Sequence, residues 1–247
     1  MAFKKRTRQT IADYVDRHLP HDSFYKSYFW FISDVALKSR LEDEFRAARY
    51  IYKLLEGLQV NNGMLVAQCK VQILLYASIY EAVLHHILLN DYATSPEVIS
   101  LTNYEHKKPI NISSNLRAKI QSQYTPQGTI QVFENETRQI DERKIVFEDK
   151  AETARKIGLI NQEIKDVVCD VYSMRNAIHL HAELRRGVTY DLNAAKKAYW
   201  HLQGFTRQIG KKLEEDGKAV RPTSLSTSQQ NGKDSWFQRL VRYVSRR

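Results

Sequence analysis

A chain of 247 residues with 43% hydrophobic and 27% charged side chains has enough apolar material to bury one sizeable core, which excludes a disordered polymer. Nine Gly and five Pro are few, and favour long helices over a turn-rich sheet protein. The net charge of +10 is concentrated at the ends, in Lys4, Lys5, Arg6 and Arg8 and in Lys233, Arg239, Arg242, Arg246 and Arg247, leaving a nearly neutral body.

The first 22 residues read as a basic tail leading into a short helix, Ile11 to His18, that Pro20 stops. No apolar stretch with a small-residue cleavage site follows the basic residues, so a cytoplasmic protein is expected. Phe24 to Leu37 is crowded with aromatic residues (Phe24, Tyr25, Tyr28, Phe29, Trp30, Phe31), a pattern of helix core that can also stack bases. Glu42 to Leu58 is periodic, with Phe45, Ala48, Tyr52 and Leu55 on one face. Asn61-Asn62-Gly63 breaks it, and Met64 to Leu89 follows as the longest helical pattern.

That pattern is apolar over much of its circumference and should be central, while Gln72, Glu81, His85 and His86 interrupt it too often for a membrane span. Glu81 stands among Tyr80, Ala82, Val83 and Leu84. A buried carboxylate must be paired or protonated, and Arg175 is the candidate partner; an exposed Glu81 on a polar edge is the other reading.

From Asp91 to Arg143 the helical signal weakens among Pro96, Pro109 and Pro126. Thr129 to Phe133 alternates like a strand and could pair with Lys144 to Phe147 as an irregular hairpin. An insertion spanning about 91–148 is expected, since neither piece could bury a core alone. Asp149 should cap a helix from Ala151 to Ile157, and Gly158-Leu159-Ile160-Asn161 is a stop followed by a new cap. A helix from Gln162 to about His179 follows, then a basic loop from Leu184 to Tyr190 with Arg185 and Arg186. Asp191 caps a last long helix reaching about Leu213.

Composition predicts disorder over 217–234, and 235–247 returns as a basic amphipathic segment with Trp236, Phe237, Leu240, Val241 and Val244. Docking on protein, contact with a membrane surface and contact with nucleic acid are the three readings of that segment. Cys69 and Cys169 sit in apolar helical stretches and are expected to be reduced. No Cys/His cluster suggests zinc, so no metal or cofactor is expected. The organisation expected is a tail over 1–22, an all-α domain over 23–216 and an appendage over 217–247.

The stretch richest in chemistry is Arg175-Asn176-Ala177-Ile178-His179-Leu180-His181. On a continuous helix Arg175 and His179 share a face one turn apart, and His181 points away. A helix ending near Ile178 would instead let His181 swing round. A permanent guanidinium beside a ring that titrates near neutrality suits the handling of a phosphate, and also suits a structural hydrogen-bonding pair.

Two features together resemble a known family. One is the apolar run with an internal acid, Ile79-Tyr80-Glu81-Ala82-Val83-Leu84. The other is the cassette of a short helix, Gly158-Leu159-Ile160, a second helix, Arg175-Asn176 with a following His, and a final helix after Asp191. The chain resembles the HEPN superfamily of all-α domains over roughly residues 40–215, less the insertion, with its strongest part at 150–212. The resemblance implies a helical bundle with a small hairpin insertion and basic tails, acting as a metal-independent endoribonuclease in toxin–antitoxin or phage-defence systems. It implies Arg175 and His179 as catalytic residues, His181 as the alternative to His179, Asn176 as their helper and Glu81 in support. RNA is the implied substrate, with Arg185 and Arg186 on its rim, and a homodimer and an antitoxin or defence partner are implied too. A non-catalytic HEPN-like module that binds nucleic acid or a partner protein is the alternative function.

Overall fold

The computed structural model describes residues 2–123 and 131–223. Within them the fold is all-α with one small two-stranded sheet. The amphipathic segment at 235–247 and most of the stretch expected to be disordered lie outside the described residues.

Helix α4 (Asn62–His86) is the axis of the bundle, packed by α3 (Val35–Gly57), α8 (Gln162–Asn176) and α10 (Leu192–Glu215), with α7 (Phe147–Ile157) against its C-terminal end. It is the one helix among the described residues long and apolar enough to cross a membrane, and its burial by neighbours is that of a core helix. Tyr76, Tyr80, Val83 and Leu84 are all but inaccessible, and the Tyr80 hydroxyl donates to the Ala198 carbonyl of α10 at 2.6 Å. This bond satisfies a phenol that would otherwise be stranded in the core.

The aromatic stretch after α1 (Lys5–His18) is core, but little of it is helix. Only Asp22–Lys26 forms α2. Beyond it the chain turns, dropping Phe29, Trp30, Phe31 and Ile32 into the interior before Asp34 caps α3 by accepting from the Ala36 and Leu37 N–H groups. Phe45 of α3 lies at the centre of this cluster, its ring 5.3 Å from Tyr25, 4.8 Å from Tyr28 and 6.3 Å from Tyr76. At Gly210 of α10 a Cβ would come within 2.8 Å of the Trp30 ring, so a bare backbone lets α10 close on this stretch.

A π-helical turn (Ile87–Asp91) ends α4 and leads into the insertion, which is more structured than its sequence suggests. It holds α5 (Pro96–Thr102), α6 (Ser114–Gln123) and a ribbon of β1 (Asn103–Ile110) antiparallel to β2 (Val132–Gln139). The hairpin is therefore only partly the one expected from 129–133 and 144–147: Val132 and Phe133 begin β2 but pair with Ile110 and Pro109, not with 144–147, and residues 129 and 130 lie outside the described residues. Alternation marks strands that bury one face, whereas this ribbon is largely exposed and matches polar and charged residues across it, His106 opposite Glu136 and Lys108 opposite Glu134. The apolar residues Ile145 and Phe147 are instead drawn into the core.

Two caps are where the sequence put them. The Asn161 side chain accepts from the Ile164 N–H at the start of α8, and Asp191 accepts from the Ala194 N–H at the start of α10. Gly158 takes the left-handed conformation, φ 86°, that closes α7. Asp149 is not a cap: α7 begins two residues earlier, at Phe147, and Asp149 lies in its first turn with Glu148, favourably placed for the helix dipole.

Candidate functional site

Helix α8 stops at Asn176, three residues short of the expected end. The Ala177 N–H turns back onto the carbonyls of Ser173 and Met174, His179 is extended (φ −68°, ψ 130°), and a new helix α9 (Leu180–Arg186) starts behind it. The shared helical face that would join Arg175 to His179 is therefore absent. Of the segment read as a basic loop from Leu184 to Tyr190, the first three residues are the end of α9, closed by Gly187 in the left-handed conformation, and 187–190 form the loop.

Both histidines are exposed on this junction, His179 at the α9 N-cap and His181 in its first turn, and Arg185 and Arg186 are exposed at its last turn. Two contacts tie α9 down and a third holds the loop after it. Lys70 of α4 pairs with Glu183 at 2.5 Å, Arg186 donates to the Ser173 hydroxyl at 3.3 Å, and the Tyr190 hydroxyl donates to the Met174 carbonyl at 2.8 Å.

Arg175 occupies the last turn of α8 with its side chain about one-third exposed. Its guanidinium donates to Asn176 Oδ1 at 3.0 Å and lies 5.2 Å from the centre of the Tyr172 ring. Glu81 faces it across the helix interface at 3.9 Å, the partner expected from the sequence but at the outer edge of an ion pair. Glu81 is itself about one-third exposed and accepts from the Tyr172 hydroxyl at 3.1 Å. Burial, followed by the Glu81 charge and that hydrogen bond, raises the Tyr172 pKa, so the phenol stays a donor. Phe147 stacks on the Tyr172 ring at 4.0 Å and fixes it.

Glu81, Tyr172 and Asn176 also line a cleft of about 710 Å³ between α4, the 142–148 segment and the end of α8. That volume is in the range of small-ligand sites. Sequence reasoning missed three of its residues. The Lys150 ammonium donates to His85 Nδ1 at 3.2 Å, and His85 Nε2 faces Glu142 at 3.9 Å. Lys150 is 5% exposed at a core position of α7, in register with Phe147, Ala151 and Ala154, which is the signal that could have found it. Among the described residues no group of three or more His, Cys, Asp or Glu side chains converges as metal ligands would.

Burial, and then the neighbouring Lys150 charge, lower the His85 pKa from 6.5, against the opposing pull of Glu142 and Glu81; His86 adds a smaller lowering effect. The folded state then holds fewer protons on this ring than the unfolded chain, so stability falls as pH drops through the ordinary histidine range and levels off below the folded pKa. His85→Gln is expected to flatten that fall. Urea midpoints of both proteins between about pH 8 and about pH 5 measure it, and parallel profiles would show that His85 is not coupled to folding.

Compared with protein-family models, with curated proteins and with solved structures, the chain matches none.

Proposed function

We propose that the α8–α9 junction is the site of a HEPN-type endoribonuclease that cleaves RNA without a metal ion. What supports the reading is Arg175. It is a part-exposed guanidinium held by an amide and an aromatic face, with only a stretched ionic partner among the described residues, next to a helix break that leaves His179 and His181 in solvent.

The chemistry follows from RNA itself, whose 2′-hydroxyl is an internal nucleophile beside every phosphodiester. A neutral imidazole takes the 2′-hydroxyl proton as the oxygen attacks phosphorus. The bond to the 5′-oxygen breaks, and an imidazolium returns a proton to that leaving oxygen. Products are a 2′,3′-cyclic phosphate and a 5′-hydroxyl. Arg175 meets the charge growing on the non-bridging oxygens with its planar fork, and Asn176 keeps the fork oriented. Arg185 and Arg186 line the path of the strand as phosphate contacts. Acid and base are best supplied by two junctions facing across a homodimer. An arc of exposed apolar residues on α4, with Val66 and Leu74 flanking the Lys70 that anchors α9, gives a second copy a surface beside the junction. The role as a toxin or phage-defence effector, and an antitoxin or defence partner, belong to the same proposal and rest on the resemblance alone.

One observation favours the non-catalytic module as a second reading: Glu81, Tyr172 and Asn176 already engage Arg175 and tie α8 to α4. Incubating single-stranded RNA with the protein in EDTA separates the two. The nuclease cuts it, and of His179→Ala and His181→Ala one loses the activity. Binding without cleavage, or cleavage untouched by either variant, would reject the catalytic reading.

A further inference from the structure

On the far side of α4 from the cleft, a small cavity of about 50 Å³ opens between α3, α4 and α10. Its wall includes Arg49, which is 6% exposed. A charge taken out of water needs an opposite charge to offset the lost hydration. Among the described residues, what surrounds this guanidinium is aromatic: the Tyr199 ring at 4.4 Å, the Tyr52 ring at 5.3 Å, and Tyr76 in hydrogen-bonding contact. Rings attract a cation but carry no net charge.

The phenols do not supply one either. Burial first, with the Glu56 charge next, pushes Tyr52 up to about 12, and burial raises Tyr76 and Tyr199 as well, so all three are neutral phenols at neutral pH. Arg49 Nε and the Gln72 side-chain nitrogen, both buried at this cavity, have no hydrogen-bond acceptor among the described residues. At the mouth stand Lys53, which pairs with Glu56 at 2.6 Å, Lys196, and the half-exposed Trp200. The cavity therefore holds two buried donors without acceptors, Arg49 Nε and the Gln72 amide nitrogen, and more positive than negative charge, Glu56 being its one carboxylate among the described residues.

We propose that this cavity binds a small tetrahedral oxyanion, inorganic phosphate or the terminal phosphoryl group of a larger ligand, with Arg49 and Gln72 as its donors. The volume exceeds the roughly 10–15 Å³ that one water needs, and admits such an ion with its outer oxygens toward the opening. The aromatic mouth suits a ligand with a flat group behind the phosphoryl. The site is separate from Arg175 and its chemistry does not depend on RNA cleavage.

The test is thermal unfolding and calorimetric titration of the full-length protein with inorganic phosphate, ionic strength being held constant with chloride. Phosphate at a hundredfold over its Kd should raise Tm by roughly 5–10 °C. Arg49→Gln should abolish the rise and Gln72→Met should weaken binding severalfold. If Arg49→Gln fails to fold, Gln72→Met and Lys196→Met still report on the same cavity. A parallel titration with AMP distinguishes the sources, since tighter binding than phosphate marks a phosphoryl group on a larger ligand. A Tm that responds no more to phosphate than to chloride, or a response that Gln72→Met leaves whole, would overturn the proposal.

Discussion

Arg175→Ala is expected to lower RNA cleavage by at least about a hundredfold while leaving Tm nearly unchanged. Loss of one preformed donor to a developing oxyanion costs on the order of 10²–10³ in rate. The stability side is small because the facing Glu81 carboxylate is 3.9 Å away and both side chains are about one-third exposed, and solvent-screened pairs of that kind are worth about 0–1 kcal/mol. Arg175→Lys should recover only part of the rate, since an ammonium keeps the charge but not the two-pronged geometry. Steady-state cleavage measured beside thermal melts checks both halves. A rate unchanged in Arg175→Ala, or a rate loss matched by a collapse in Tm, would make Arg175 a structural tie between α8 and α4.

Phe45→Ala is expected to produce the largest loss of stability among single changes in this protein. The ring is inaccessible and contacts aromatic side chains of α2, of the turns after it, of α4 and of α10, Tyr199 of α10 lying 6.2 Å away. Its removal leaves a void in which those rings, fixed by one another, cannot easily collapse. Phe→Ala changes of this kind cost about 3–5 kcal/mol. At about 2–4 °C per kcal/mol for a chain of this size, Tm should fall by roughly 6–20 °C. A loss under about 1 kcal/mol by urea unfolding would mean that the aromatic cluster is not the keystone of the bundle.

These two residues also mark how far the sequence could be read. Phe45 was legible because it sits on an apolar stripe with Ala48 and Tyr52, and a stripe at helical spacing has one physical meaning in a core. The same stripe carries Arg49, one turn beyond Phe45, and a buried charge on a core face is easily passed over as a polar edge. Lys150 was missed for the same reason on α7. The proximity of Glu81 and Arg175 was legible because an acid inside an apolar run was expected to face a cation, although Glu81 keeps about one-third of its side chain exposed and the two stand 3.9 Å apart.

What the sequence concealed was local backbone geometry. Nothing in Arg175-Asn176-Ala177-Ile178-His179 is a helix breaker of the Gly or Pro kind, so the pattern read on to His179. The chain in fact turns at Ala177, and α9 is anchored elsewhere by Lys70 to Glu183, with Tyr190 of the following loop held to the α8 backbone. Long-range ties of this sort leave no periodic trace. The ribbon was hidden likewise, because the matching of polar and charged residues between β1 and β2 is a pairwise property that no single-strand pattern displays.

The most direct test of the proposed chemistry is cleavage, in EDTA, of one RNA carrying a single 2′-deoxy substitution at the bond the protein cuts. The account predicts that cutting at that bond stops while cutting elsewhere continues, and that unmodified RNA yields 2′,3′-cyclic phosphate and 5′-hydroxyl ends. Cleavage that persists at the deoxy position, or ends bearing a 5′-phosphate, would contradict it.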